Sequence, residues 1–235
     1  MGVACPDIWD LELPPTDLLV LPELALSEWL CATPDVDPKA WEEAAAAQPL
    51  HKLPDLNAGV VIGTMAVVED GRRYNDAFCW TAEQGLRTVH RKTFLPDEPG
   101  FWEATWYERG PVSFEVFDTP AGRIGVSVCT EMWFSQHLYN DVDLVVVPRA
   151  TPLETASKWL AGGATHAVTS GAFCISSNRA ETVAGTTMGA TAWVIDPDGQ
   201  QLAVSSDTHP VVVCDIDLST AKAAKATYPR YVSTY

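Results

Sequence analysis

Positive charge is scarce in this chain. Its 15 lysines and arginines stand against 31 aspartates and glutamates, a formal charge of −16 at pH 7. A field of that sign repels phosphate backbones and anionic lipid, so nucleic-acid and membrane-surface partners are not expected. The chain also lacks any uninterrupted apolar run near the roughly 18 residues that span a bilayer. The opening stretch MGVACPDIWDLELPP has no basic segment and no long apolar one, so no secretory leader is expected. The six cysteines (Cys5, Cys31, Cys79, Cys129, Cys174 and Cys214) form no CxxC pair, and the five histidines form no HxH or HExxH pattern. Disulfide staples and a metal centre therefore have no support, and unpaired thiols in a reducing, cytoplasmic setting are the expectation. No phosphate-loop motif is present either, and no cofactor is expected.

What the chain does have is apolar material: 235 residues, 47% of them hydrophobic, enough for one substantial core. No linker or low-complexity stretch divides it, so residues 1–235 are read as a single domain. Short β-branched runs predict strands at 18–21, 60–68, 77–81, 87–91, 113–119, 123–128, 144–147, 173–176, 190–195 and 211–215. Turn signals such as Thr119-Pro120-Ala121-Gly122 and Asp196-Pro197-Asp198-Gly199 punctuate them. Helical patterns occupy 38–47, 154–170 and 219–226, with a short one after Cys129. This alternation implies an α/β protein with helices layered outside sheets.

One stretch repeats in kind. DLLVLPE at 17–23 returns as DLVVVPR at 143–149, each an acid, an apolar strand, then proline and a charged residue. Strands so apolar must be covered on both faces. The echo suggests a pseudo-twofold arrangement bringing Glu23 and Arg149 to comparable places.

Three residues matter more together than singly. Glu23 stands at the exit of a buried strand, where α/β proteins tend to hold ligands. Lys92 follows a mixed strand, and Cys129 ends the apolar run in RIGVSVCTEMWF. A thiol attacks a carbonyl or nitrile carbon only as thiolate, and free cysteine keeps most of its proton at neutral pH. No histidine here lies in a convincing catalytic context. A glutamate and a lysine converging on the sulfur would do both jobs, one as base, the other lowering the thiol pKa and binding an oxyanion.

That order of residues, with RK-x-x-LP around the lysine and IGVSVC-x-E-x-WF around the cysteine, resembles the nitrilase, or carbon–nitrogen hydrolase, superfamily. So do GRRYNDAF ahead of the lysine and SGAFCISSNRAE, VIDPDGQ and VVVCDIDLS beyond the cysteine. The resemblance, closest to the amidase and carbamoylase branch, runs from about Asp17 to Tyr231. It implies a four-layer αββα sandwich and a Glu-Lys-Cys triad without a cofactor. Glu23 then corresponds to the general base, Lys92 to the oxyanion-stabilising lysine and Cys129 to the nucleophile, with the backbone N–H of Thr130 as a second oxyanion donor. The family's second glutamate corresponds to Glu103, in a PGFWE similar to PGYxE, with Glu98 competing for the role. Asn178 and Arg179 are expected to support the site without a chemical part.

The chain departs from the family pattern in three places. Members commonly carry a strand and a helix ahead of the glutamate strand, whereas here the glutamate is residue 23. A shortened N-terminus is expected, with one sheet face left open or covered by a partner. WFSQHLYNDVD replaces the common WFPE, which leaves the family's usual dimer in doubt although a homo-oligomer remains possible. Thr130 and Glu131 stand where many relatives have other residues, so the pocket floor is expected to differ. Trp102, Tyr107, Trp133 and Phe134 are candidates to wall a pocket for a small amide-type substrate. Arg149 is a candidate for a substrate carboxylate or for an internal ion pair. The expected activity is hydrolysis of a non-peptide C–N bond in a small amide or N-carbamoyl compound through a cysteine thioester. Attack on a nitrile, acyl transfer to another acceptor, and a non-catalytic scaffold are the alternatives.

Overall fold

A computed structural model describes residues 8–9, 11, 13–135, 141–189, 191–206 and 209–232. Cys5, Ala190 and the stretch ahead of Ile8, all part of the expectations above, lie outside the described residues, as do residues 136–140 of the segment after Cys129. Two sheets form the centre. The first runs β1 (Thr16–Val20), β2 (Ala58–Glu69), β3 (Arg72–Thr81) and β4 (Gly85–Arg91) in that order, with β1 parallel to β2 and the rest antiparallel. The second is built from β5 (Val116–Thr119), β6 (Gly122–Val126), β7 (Leu144–Arg149), β8 (Phe173–Asn178), β11 (Trp193–Ile195) and β12 (Gln201–Val204). Its order is 12-11-8-7-6-5, with β6, β7 and β8 parallel at its centre. A two-stranded ribbon, β9 (Thr182–Val183) and β10 (Thr186–Thr187), stands apart.

Side chains alternate across a strand, so each sheet has two faces to bury. Val60, Ile62, Ala77 and Cys79 of the first sheet pack on Ile124, Val126, Leu144 and Val146 of the second, forming the core between sheets. The opposite face of the first sheet, with Val61, Met65 and Phe78, packs on Ile8, Leu26 and the 3-10 turn Leu50–Leu56. This face, expected to be left open or covered by a partner, is covered here by the chain's own residues. α1 (Pro38–Ala47) lies against β2. Asp37 starts this helix by accepting from the N–H groups of Lys39 and Ala40, with Pro38 at its first position, and Trp41 Nε1 donates to Val67 O at 3.2 Å. α2 (Glu103–Trp106) is a single turn. α3 (Ala156–Ser170) covers the outer face of the second sheet and stops at Gly171, whose φ of +61° suits the left-handed cap, and α4 (Leu218–Ala224) follows near the end of the chain. The architecture is therefore the expected four layers. Among the described residues no helix is long and apolar enough to cross a membrane.

The echoed segments lie in different sheets and meet at their ends: the Glu23 N–H donates to the carbonyl of Arg149 at 3.2 Å. One expected strand is absent. Val211–Asp215 joins no sheet among the described residues, although its sequence is β-branched. Instead Val212 and Ile216 line one side of a cavity of about 1150 Å³, with the free edge of β1 (Leu18, Val20) and with Ile175 and Trp193 on its other sides. This cavity is lined by none of Glu23, Lys92, Glu103 and Cys129.

Candidate active site

The site is assembled from strand ends. β1 ends at Val20, and past Pro22 the chain turns through Leu24, whose φ of +47° is left-handed; its N–H donates to Thr64 Oγ1 at 2.7 Å. Arg179 holds this turn from the far end of β8, donating to the carbonyls of Glu23 and Leu24 at 3.2 and 2.6 Å. Asn178 ties the neighbouring turn with two hydrogen bonds to the Thr151 backbone. Both residues serve as supports, as expected.

Lys92 follows β4 directly, and its N–H donates to Asn75 O on β3. Its ammonium is fully buried and lies between two fully buried carboxylates, 2.7 Å from Glu23 Oε1 and 2.5 Å from Glu103 Oε2. Glu103, at the start of α2, also accepts from the Tyr107 hydroxyl. Glu98 is exposed and takes no part in this cluster. Asn75 Nδ2 donates to Glu23 Oε1 at 2.8 Å, and among the described residues Glu23 Oε2 has no hydrogen-bond partner. Burial works against the charge on Lys92, but Glu103 and Glu23 outweigh it and its pKa stands above the ordinary lysine value. Glu103 is pushed up to about 8, by burial first and by Glu23, against the opposing pull of Lys92.

Cys129 begins a 3-10 turn, Cys129–Trp133, just past β6, with a φ of +51° that presents its side chain from a left-handed residue. The residue is 3% exposed, and Sγ points at Ala150 O at 3.7 Å. Ala150 follows the Arg149 carbonyl that accepts from the Glu23 N–H, so the sulfur and the Glu23 backbone are moored to adjacent residues. The thiol pKa is raised, by burial first and then by Glu23, while Lys92 acts in the opposite sense. Lys92 lowers the thiol as expected, but burial and Glu23 outweigh it, and the resting group is a thiol. A second buried thiol, Cys31, stands in the same field and is raised by burial, Glu103 and Glu23.

The remaining candidates divide. Thr130 is half-buried beside the sulfur, while Trp102 and Tyr107 pack in a cluster with Leu24, Trp106 and Ala150. Trp133 is 5.1 Å from Trp159 between ring centres; Phe134 is 58% exposed and lies 4.8 Å from Phe94. Arg149 makes no ion pair among the described residues. It is fully buried, and its guanidinium donates to Ser176 Oγ, Thr151 Oγ1 and Thr191 O while lying 3.9 Å over the Trp193 ring. Its hydrogen-bond partners are all neutral. The glycine pair at 162–163 likewise serves packing: a Cβ on Gly162 would meet Trp133 at 2.5 Å, and one on Gly163 would meet Trp193 at 3.0 Å.

Asn75 was not singled out from the sequence, and Glu131 was noted only as a departure at the pocket floor. The available signal was a polar residue at a buried strand position, as Asn75 is within YNDAFC.

Known proteins carry the same architecture. The chain matches a Helicobacter pylori G27 carbon–nitrogen hydrolase with a TM-score of 0.80 at 22% identity, over 91% of this chain and 82% of that one. It also matches a CN-hydrolase superfamily protein of Xanthomonas campestris, with a TM-score of 0.76 at 19% identity, over 95% and 86% of the two chains. In sequence it is 26% identical over 191 residues to an N-carbamoylputrescine amidase of Arabidopsis thaliana, covering 72% of this chain and 64% of that protein. It is 28% identical over 188 residues to an omega-amidase of Mus musculus, covering 74% and 67%. The chain thus spans somewhat less than two thirds of the length of the first of these relatives. The carbon–nitrogen hydrolase family model matches residues 12–226, nearly the whole chain, and this protein belongs to that family.

Proposed function

We propose that this protein hydrolyses a small amide or N-carbamoyl compound through a thioester on Cys129. The observation that carries the reading is the buried ammonium of Lys92 held between Glu23 and Glu103, within whose field the Cys129 thiol sits. Relatives named as amidases support the substrate class.

In this reading the chemistry starts from a protonated thiol. Lys92 and Asn75 engage Oε1 of Glu23, which leaves Oε2 to take the thiol proton as sulfur attacks the carbonyl carbon. A preformed thiolate is not needed: the base acts during attack, which suits a thiol whose pKa burial has raised. The carbonyl oxygen becomes an oxyanion, stabilised by the Lys92 ammonium and the Thr130 N–H. Ammonia or an amine then leaves with the proton held by Glu23. Water, deprotonated by Glu23, splits the thioester and returns the thiol. Glu103 touches neither carbon nor sulfur; it keeps the lysine charged and aimed.

Intact-mass measurement after incubation with a panel of amides, N-carbamoyl amines and nitriles tests the proposal. An acyl adduct that maps to Cys129 is expected, and Cys129→Ala should lose both adduct and turnover while unfolding like the parent. Turnover at the parent rate in Cys129→Ala would refute the mechanism.

A further inference from the structure

Glu131 lies two residues past the nucleophile and is fully buried. Its Oε1 accepts from the Thr93 N–H at 2.6 Å, and its Oε2 accepts from the Val128 N–H at 2.8 Å. His90 Nε2 stands 2.7 Å from the same Oε2. Thr93 directly follows Lys92, and Val128 directly precedes Cys129. β4 ends at Arg91 and β6 at Val126, so both amides lie past the ends of their strands. One carboxylate therefore bridges the two sheets where the lysine and the cysteine leave them.

We infer that Glu131 is a positioning residue that sets the Lys92 ammonium against the Cys129 sulfur by clamping the two backbones together. His90 completes the clamp: its Nδ1–H donates to Ser113 O at 3.0 Å, and its ring packs on Phe114 at 4.8 Å between centres. This orients Nε2 toward the carboxylate. Both backbone amides are buried donors in need of an acceptor, and hydrogen bonds to a charged acceptor are stronger than neutral ones. Glutamine at 131 would keep the volume but turn one acceptor oxygen into a donor that faces an N–H, so one arm of the clamp must open. The inference rests on the reading of Cys129 and Lys92 as a working pair and assigns Glu131 no contact with substrate.

The test is a double-mutant cycle read by the rate at which iodoacetamide alkylates Cys129, located by peptide mass, in the parent, Glu131→Gln, Lys92→Ala and the double variant. Glu131→Gln is expected to slow alkylation at least about tenfold in the parent, yet less than about twofold in the Lys92→Ala background. Equal slowing in both backgrounds, or none in the parent, overturns the inference and leaves the proposed function standing. A parent Cys129 that reacts no faster than Cys214 overturns both. Should Glu131→Gln fail to fold, amide hydrogen exchange of the unaltered protein decides: Thr93 and Val128 are expected to be protected although both lie past their strand ends, and fast exchange at either overturns the clamp.

Discussion

Replacing Lys92 with methionine keeps the side chain's bulk and removes the ammonium that Glu23 and Glu103 share. Both carboxylates are fully buried, so neither can be rescued by solvent. Removing one partner of a buried pair costs about 3–5 kcal/mol, because the survivor stays charged and dry. Domains of this kind have about 5–15 kcal/mol in total, so the variant is expected to fold but with much of its margin gone. Urea unfolding at mildly alkaline pH should show this as a lower midpoint with an unchanged slope. Acid should return part of the loss, since protonating a carboxylate removes the charge that has no partner. The double variant Lys92→Met/Glu103→Gln should recover about 1–3 kcal/mol relative to Lys92→Met alone, as groups in one network do not add. A loss below about 1 kcal/mol for Lys92→Met would refute the account of this cluster as a buried ionic one. So would a double variant no more stable than Lys92→Met.

Glu103 gives the parent its own pH signature. Its carboxyl is raised from an ordinary 4.5 to about 8, so the folded chain holds a proton that the unfolded chain releases in between. Its contribution to stability is therefore complete below the ordinary glutamate range and falls as pH rises toward about 8, and Glu103→Gln should flatten that slope in a series of unfolding curves. An identical slope in the variant would place the titration elsewhere. Gly162→Ala brings a methyl group to 2.5 Å from Trp133 and 2.7 Å from Met132, so it should lower stability by about 1–3 kcal/mol in thermal unfolding. An unshifted midpoint would mean that the turn after Cys129 packs loosely.

Which parts of this could be read beforehand follows from where the information lies. The helix at 38–47 was legible because its cap, its proline and its alanines are all local. The trio proposed as catalytic, Glu23, Lys92 and Cys129, could be singled out because each member sits in a distinctive segment, although the meeting of the three is a matter of tertiary structure. Val211–Asp215 failed as a strand for the opposite reason: β-branched residues favour extended chain, but a ladder needs a neighbour. Gln201–Val204 was passed over because its apolar run, Leu202 to Val204, is only three residues long and mostly exposed at a sheet edge. As an ion-pair candidate Arg149 was misread, since a charged residue at a strand end suggests a counter-charge until its hydroxyl, carbonyl and indole neighbours are seen. The bond of Asn75 to Glu23 and that of Thr93 to Glu131 were not legible because they cross 52 and 38 residues of chain.

The φ of +51° at Cys129 carries a last consequence. Any residue with a Cβ is held in that conformation against its own preference, by about 1 kcal/mol or more, and glycine alone would rest there at ease. Selection acting on sturdiness alone would erase the sulfur from position 129. On the proposed mechanism, its presence in a posture the backbone resists marks a place where the molecule keeps reactivity at the expense of comfort.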